Sequence, residues 1–124
     1  KCDYCVEHHF AGLKRLLNDD AKANQIRSAI DTNNIENAPL ENRQKTAMEY
    51  ARKLTNNPGS IREENIEKLR ADGFTDGEIL EINQVCAYFS YANRTVLGLG
   101  CSTKGDVLGL SPNNNDDPND WGHS

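Results

Sequence analysis

The stretch Thr75-Asp76-Gly77-Glu78 does most to limit the fold. A threonine followed three positions later by glutamate is a capping box, in which hydroxyl and carboxylate each satisfy a free backbone N–H of a helix's first turn. Ile79, Ile82, Cys86, Phe89 and Val96 follow at helical spacing, and Val85, Tyr88 and Ala92 make the neighbouring face apolar as well. A helix that is apolar on two faces is expected at the centre of the molecule, enclosed by the others.

Four further helices are expected around it. From about Asp3 to Asn18, Val6, Phe10, Leu13, Leu16 and Leu17 recur at helical spacing, with Lys14 and Arg15 opposite and Asn18-Asp19-Asp20 as the break. A weaker segment runs from Ala21 to Ile30, before the loop chemistry of "DTNNIENAP". Between Leu40 and Leu54 a stripe of Ala47, Met48, Ala51 and Leu54 lies among good helix formers and stops at "NNPG". Ser60-Ile61-Arg62-Glu63 has a second capping-box pattern, which predicts a short helix to about Ala71 closed by Gly73. No strand pattern competes, so the expected fold class is all-α.

The chain has 124 residues, 36% of them hydrophobic and 27% charged, which suits one domain with a modest core. Residues 1–110 are read as that helical domain. The polar stretch "SPNNNDDPNDWGHS" at 111–124 is read as an extended or disordered tail. A net charge of −5 with scattered lysines and arginines gives nothing to attract a phosphate backbone, so no nucleic acid is expected as partner. No apolar run approaches the ~20 residues that cross a bilayer, so no membrane role is expected either. Four cysteines in no regular framework point to a reducing, cytoplasmic setting. Met48 is the single methionine and the first residues already belong to a motif, so the chain reads as a piece of a longer protein whose upstream part is missing.

That motif is "KCDYCVEHHF", with two cysteines three apart and two histidines behind them. A C-x-x-C pair can be half of a zinc site, which needs two more ligands from Cys or His. No second pair exists: Cys86 sits in an apolar helix, Cys101 is alone, and His123 lies near the C-terminus. The redox reading needs a second thiol in reach and something to lower a thiol pKa. Cys2 at a helix start and Cys5 in its first turn meet both needs, through the i, i+3 spacing and the free N–H groups and positive dipole end.

At about 100° per residue, Cys2, Cys5, His9, Leu13 and Leu16 fall within roughly 60° of one direction. His9 is therefore expected to face inward beside the thiols, as a base or as an imidazolium holding the thiolate, while a core histidine bonded to a carbonyl is the plain alternative. His8 falls at the edge of the polar face with Tyr4 and Arg15 and is expected in solvent. Glu7 is expected on the outer face.

The pattern Cys2-Asp3-Tyr4-Cys5-x-x-x-His9 resembles the C-x-x-C-x-x-x-H signature of the alkylhydroperoxidase D-like proteins in the carboxymuconolactone decarboxylase superfamily, and their peroxidase-related branch in particular. The stretch "EYARKLTNNPGSIREENIEKLRADGFTDGEILEINQVCAYFSYANR" is similar to that branch's paired helices ending in an aromatic, Asn-Arg helix, so the resemblance reaches to about Gly100. It implies an orthogonal all-α bundle, N-terminally incomplete here, that assembles into homo-oligomers. It also implies reduction of a hydroperoxide substrate, with Cys5 as attacking thiolate, Cys2 as resolving thiol, His9 in a proton relay and an external dithiol as reductant. No cofactor and no metal are expected. The decarboxylase branch lacks the cysteine pair, so its activity is not implied. Two departures stand out: the relay glutamate expected about a dozen residues upstream of Cys2 is not in this chain, and Tyr4 stands where well-studied members carry a histidine. The alternative is a non-catalytic oligomerisation or redox-sensing module that uses the pair as a disulfide switch, and a lesser rival is a metal site formed by Cys2, Cys5 and the nearby histidines.

Among the other residues, Cys86 is read as a small apolar core filler and Cys101 as an incidental free thiol or an intermolecular disulfide partner. Asn93-Arg94-Thr95 matches a glycosylation acceptor by chance, and Asn93 and Arg94 are expected to make polar contacts in the bundle or across a subunit boundary. Trp121 is expected either to dock on the body or to share the disorder of its tail.

Overall fold

A computed structural model describes residues 2–109. Five helices follow in order: α1 (Asp3–Leu17), α2 (Asp20–Asp31), α3 (Asn42–Asn56), α4 (Glu63–Ala71) and α5 (Asp76–Gly98), with 3-10 turns at Ile35–Asn37 and Pro58–Ser60. Among the described residues there is no strand, and the all-α expectation holds. Trp121, His123 and the 111–124 tail lie outside the described residues. No helix among the described residues is long and apolar enough to cross a membrane.

The local signals explain most boundaries. Asn18, in the left-handed region at φ 48°, ends α1 by sending its N–H to the Lys14 carbonyl, and Asp19 caps α2 by accepting from the Lys22 N–H at 2.9 Å. Gly73 at φ +87° ends α4 in the wrapped geometry that glycine permits, with the Phe74 N–H returning to the Leu69 carbonyl at 3.1 Å. The Ser60 capping box does not form. Pro58 starts a 3-10 turn that takes up Ser60, whose hydroxyl donates to the Asn57 carbonyl at 2.7 Å, and α4 starts after Arg62, whose N–H donates to Asn65 Oδ1 at 2.9 Å.

The Thr75 box does form. The Thr75 N–H donates to Glu78 Oε2 at 2.7 Å and the Glu78 N–H to Thr75 Oγ1 at 3.2 Å. That backbone N–H, then Arg43 at 2.5 Å, then the Thr75 hydroxyl hold the Glu78 carboxyl at a pKa of about 2, below its ordinary 4.5. A depressed carboxylate adds stability above the unfolded value and loses it as pH falls through the folded one. Thermal unfolding followed against pH should therefore show a loss between about pH 4.5 and about pH 2 that Glu78→Gln makes shallower; equal acid slopes in both proteins would contradict this role.

The core joins α3, α4 and α5. Leu69 is fully enclosed, with Tyr50 and Ile79 nearly so, and Ala47, Leu54, Ile66, Phe74 and Ile82 pack around them. The polar groups of this core are paired: Tyr50 Oη accepts from Asn83 at 3.2 Å, and the buried Thr46 hydroxyl donates to the Asp72 carboxylate at 2.5 Å. Asp72 also accepts from Asn42 at 3.2 Å, so one carboxylate at the end of α4 ties down α3. On the other side α1 packs on α2, which buries Ala23, Ile26 and Ala29. Arg27 of α2 pairs with Glu7 at 3.0 Å and lies 5.0 Å over the Phe10 ring.

The expectation for α5 is only half met. Its Ile79, Ile82, Cys86, Phe89 and Val96 stripe faces the bundle, but the neighbouring face is bare: Leu80, Val85, Tyr88 and Tyr91 are 55–69% exposed. The helix is not the enclosed centre, because α3 and α4 cover one side of it and the described chain supplies nothing for the other.

Candidate thiol site

Cys2 is the residue from which α1 starts. Its backbone is extended at φ −115°, and its carbonyl accepts the first helical bond, from Val6 at 3.0 Å. Cys5 stands one turn on, so both sulfurs project from the same edge of the first turn. Their Sγ atoms are 2.8 Å apart as free thiols, with Cys2 buried and Cys5 half-buried. Closing them into a disulfide needs an approach of less than ~1 Å, to the ~2.05 Å bond length.

The electrostatics differ from the sequence expectation. The Cys5 thiol is pushed up to about 11, first by loss of solvent and then by its contact with Cys2. The helix start was expected to lower it, but a sulfur leaning on a buried second thiol loses more hydration than the first-turn N–H groups restore. Cys5 therefore rests as a thiol at neutral pH and needs help to lose its proton.

The histidines also exchange places. His9 is exposed, with its ring edge-on to Phe89 of α5 at 4.7 Å between centroids. His8 is the more covered one, with 20% of its side chain exposed; its Nε2 lies 3.0 Å from Asp106 Oδ2 and its ring 4.6 Å from that of Tyr4. The wheel misplaced them because α1 is covered from two directions, and its large apolar residues mark only one of them. α2 covers the side carrying Val6, Phe10 and Glu7, so Glu7 is paired rather than on an open face. The segment 101–109 covers the side carrying Tyr4, His8 and Ala11. Between them runs an open strip with His9 and, further on, Leu16, which is 76% exposed. Cys5 sits at the head of this strip.

The 101–109 segment is held by more than one contact. The Cys101 N–H returns to the Val96 carbonyl at 3.1 Å, and the Asp106 N–H to the Thr103 carbonyl at 3.1 Å. Gly109, at φ +87°, comes so close to α1 that an added Cβ would stand 2.8 Å from the Ala11 Cβ; only glycine allows that approach. The sequence offered no signal for this segment, since Asp106 is 98 residues from His8 and lies in no periodic pattern.

Cys86 is half-buried on the inner stripe of α5, with its thiol raised by loss of solvent, in keeping with a packing role. Cys101 is exposed. Asn93 lies one turn beyond Phe89, and its Oδ1 is buried without a hydrogen-bond partner among the described residues; Arg94 donates to the Ser90 carbonyl of its own helix at 2.5 Å. Among the described residues, no group of three or more His, Cys, Asp or Glu side chains is gathered to hold a metal ion. A depression of about 410 Å³ lined by Glu81, Gln84, Val85, Tyr88 and Phe89 adjoins the His9 contact, and a larger one of about 500 Å³ between α3 and α4 is remote from the thiols.

Among solved structures, the chain is similar to an uncharacterized peroxidase-related protein from Silicibacter sp. TM1040, at 29% sequence identity and a TM-score of 0.72. The similarity covers 82% of this chain and 50% of that one, so the chain spans half the length of that protein. No family model matches the sequence, and no curated protein matches it. The fold this chain shares with that peroxidase-related neighbour is all-α.

Proposed function

We propose that this chain carries a thiol-dependent peroxidase or thiol–disulfide oxidoreductase site of the alkylhydroperoxidase D-like kind, which reduces hydroperoxides through Cys5 and Cys2. The observation that carries this reading is the pair of free sulfurs 2.8 Å apart on the first turn of one helix. The peroxidase-related neighbour supports it. Cys5, the more open of the two, attacks the peroxide: a sulfur–oxygen bond forms, the oxygen–oxygen bond breaks, and an alcohol or water leaves. Cys2 then displaces the hydroxyl of the sulfenic acid as water, forming the disulfide. An external dithiol restores both thiols by exchange. His9, one turn from Cys5 and open to solvent, relays protons between the site and water.

The bare face of α5 fits an assembly with further copies of the chain, since apolar patches of this kind mark interaction surfaces. A reducing compartment such as the cytoplasm would keep the pair ready for a substrate.

One observation favours a second reading. Cys5 is held as a thiol rather than a thiolate, which suits a slowly oxidised disulfide switch better than a fast peroxidase. Counting free thiols with a chromogenic disulfide after one equivalent of hydroperoxide separates the two. The peroxidase reading expects two of the four cysteines to disappear within seconds and to return with dithiol; a switch loses them only over many minutes, and four persistent thiols would rule out both.

A further inference from the structure

A proton relay at Cys5 works only while the imidazole that carries it keeps one place. His9 stands on the open strip of α1, one turn after Cys5, and side chains on a helix lean back over the turn that precedes them. An exposed histidine on such a strip still has more than one χ1 well and a broad χ2, so packing has to choose among them. In this chain a second helix chooses. The His9 and Phe89 rings meet at 4.7 Å between centroids with their planes at 89°, within the geometry that an edge-to-face aromatic pair prefers.

Phe89 is suited to be the fixed partner. It is half-buried on the inner stripe of α5, and the Tyr88 ring braces it at 5.2 Å and 74°. Its helix is itself anchored: the Thr75 box starts it, and Ile79 and Ile82 hold it in the core with Tyr50 and Leu69. The contact therefore ties an exposed ring on α1 to a helix whose place the core has set. Phe89 brings no polar atom to the site, so its share in the chemistry passes through the position of His9.

We infer that Phe89 is a positioning residue for the thiol site, which holds the His9 imidazole in the rotamer that serves Cys5. The inference rests on the reading of His9 as the proton relay of a Cys5–Cys2 redox pair. In the step it supports, the Cys5 proton passes to the imidazole as the sulfur's electron pair forms a bond to the outer peroxide oxygen. The oxygen–oxygen bond breaks, and the departing alkoxide takes a proton from the imidazolium and leaves as the alcohol. With the Phe89 ring removed, His9 swings among its rotamers and the same base is in place for a smaller share of the time. An edge-to-face pair biases a ring by ~2- to 10-fold, which sets the size of the loss.

The test follows His9 and Cys5 separately in the full chain. The nuclear magnetic resonance signals of the labelled His9 ring should carry a ring-current offset that Phe89→Leu abolishes and Phe89→Tyr keeps. Phe89→Leu and Phe89→Met keep an apolar side chain without the ring, and each should slow alkylation of Cys5 by iodoacetamide near neutral pH by ~2- to 10-fold, while Phe89→Tyr restores the rate. His9→Gln should slow it at least as much, and the double variant with Phe89→Leu should be no slower than His9→Gln alone. The differences should shrink as pH approaches about 11, where the Cys5 thiolate forms unaided. A wild-type rate in Phe89→Leu with the offset gone would overturn the proposal, as would additive losses in the double variant or a wild-type rate in His9→Gln. Should Phe89→Leu lose its helical circular dichroism, Phe89→Met and Phe89→Tyr decide. No peroxide enters the alkylation assay, so a chain whose Cys5 obeys Phe89 yet consumes no hydroperoxide contradicts the peroxidase reading and leaves this proposal standing. Hydroperoxide consumed equally fast with and without the Phe89 ring does the reverse.

Discussion

Cys5→Ser protein should fold as the wild type does and lose hydroperoxide consumption by ~10³-fold or more, the scale of removing a nucleophile from a covalent mechanism. Serine is close to cysteine in size, the position is half-buried, and the side chain joins no core cluster, so little packing is lost. A hydroxyl there is far less nucleophilic than a thiol and cannot accept oxygen to form a sulfenic acid. Cys2→Ser separates the two roles. It keeps the attacking sulfur and removes the resolving one, so it should reduce one equivalent of peroxide, stop, and hold a sulfenic acid that a dimedone-type reagent labels. If Cys5→Ser turns over peroxide at the wild-type rate, the chemistry belongs to another thiol.

Leu69→Ala should be the most damaging change to the fold. Leu69 is fully enclosed between α3, α4 and α5, against Tyr50 and Ile79, and its truncation leaves a cavity where three helices meet. Such changes cost about 2–5 kcal/mol, out of the ~5–15 kcal/mol that holds a domain of this size together. At about 4–8 °C per kcal/mol, the midpoint of thermal unfolding should fall by ~10 °C or more. Leu80→Ala, one position beyond Ile79 but 56% exposed, should change stability by less than ~0.5 kcal/mol. A smaller loss for Leu69 than for Leu80 would mean that the bare α5 face is covered in solution and the core lies elsewhere.

The helices were legible because their signals are local. The Thr75–Glu78 box, the Gly73 stop and the break at Asn18 act within one turn, and each does in the structure what its chemistry dictates. Ser60 misled for a local reason too, since Pro58 had already committed it to a tighter turn. The thiol pair was legible because three-residue spacing on a helix brings two side chains together whatever surrounds them. What surrounds them was not. A helical wheel records which residues share a side, whereas coverage of that side depends on distant chain: α2 takes the Phe10 side and segment 101–109 the His8 side. For that reason His8 and His9 exchanged their expected environments, and the raised Cys5 pKa, which follows from burial, opposed the expectation drawn from the helix start.

The most direct measurement is a peptide map of the full chain after one equivalent of hydroperoxide, with remaining thiols blocked before digestion. The account predicts Cys2 and Cys5 joined in one disulfide, with Cys86 and Cys101 recovered as blocked free thiols in nearly every molecule. Peroxide consumed with Cys2 and Cys5 both still free, or a disulfide drawn from Cys86 or Cys101 instead, would contradict it.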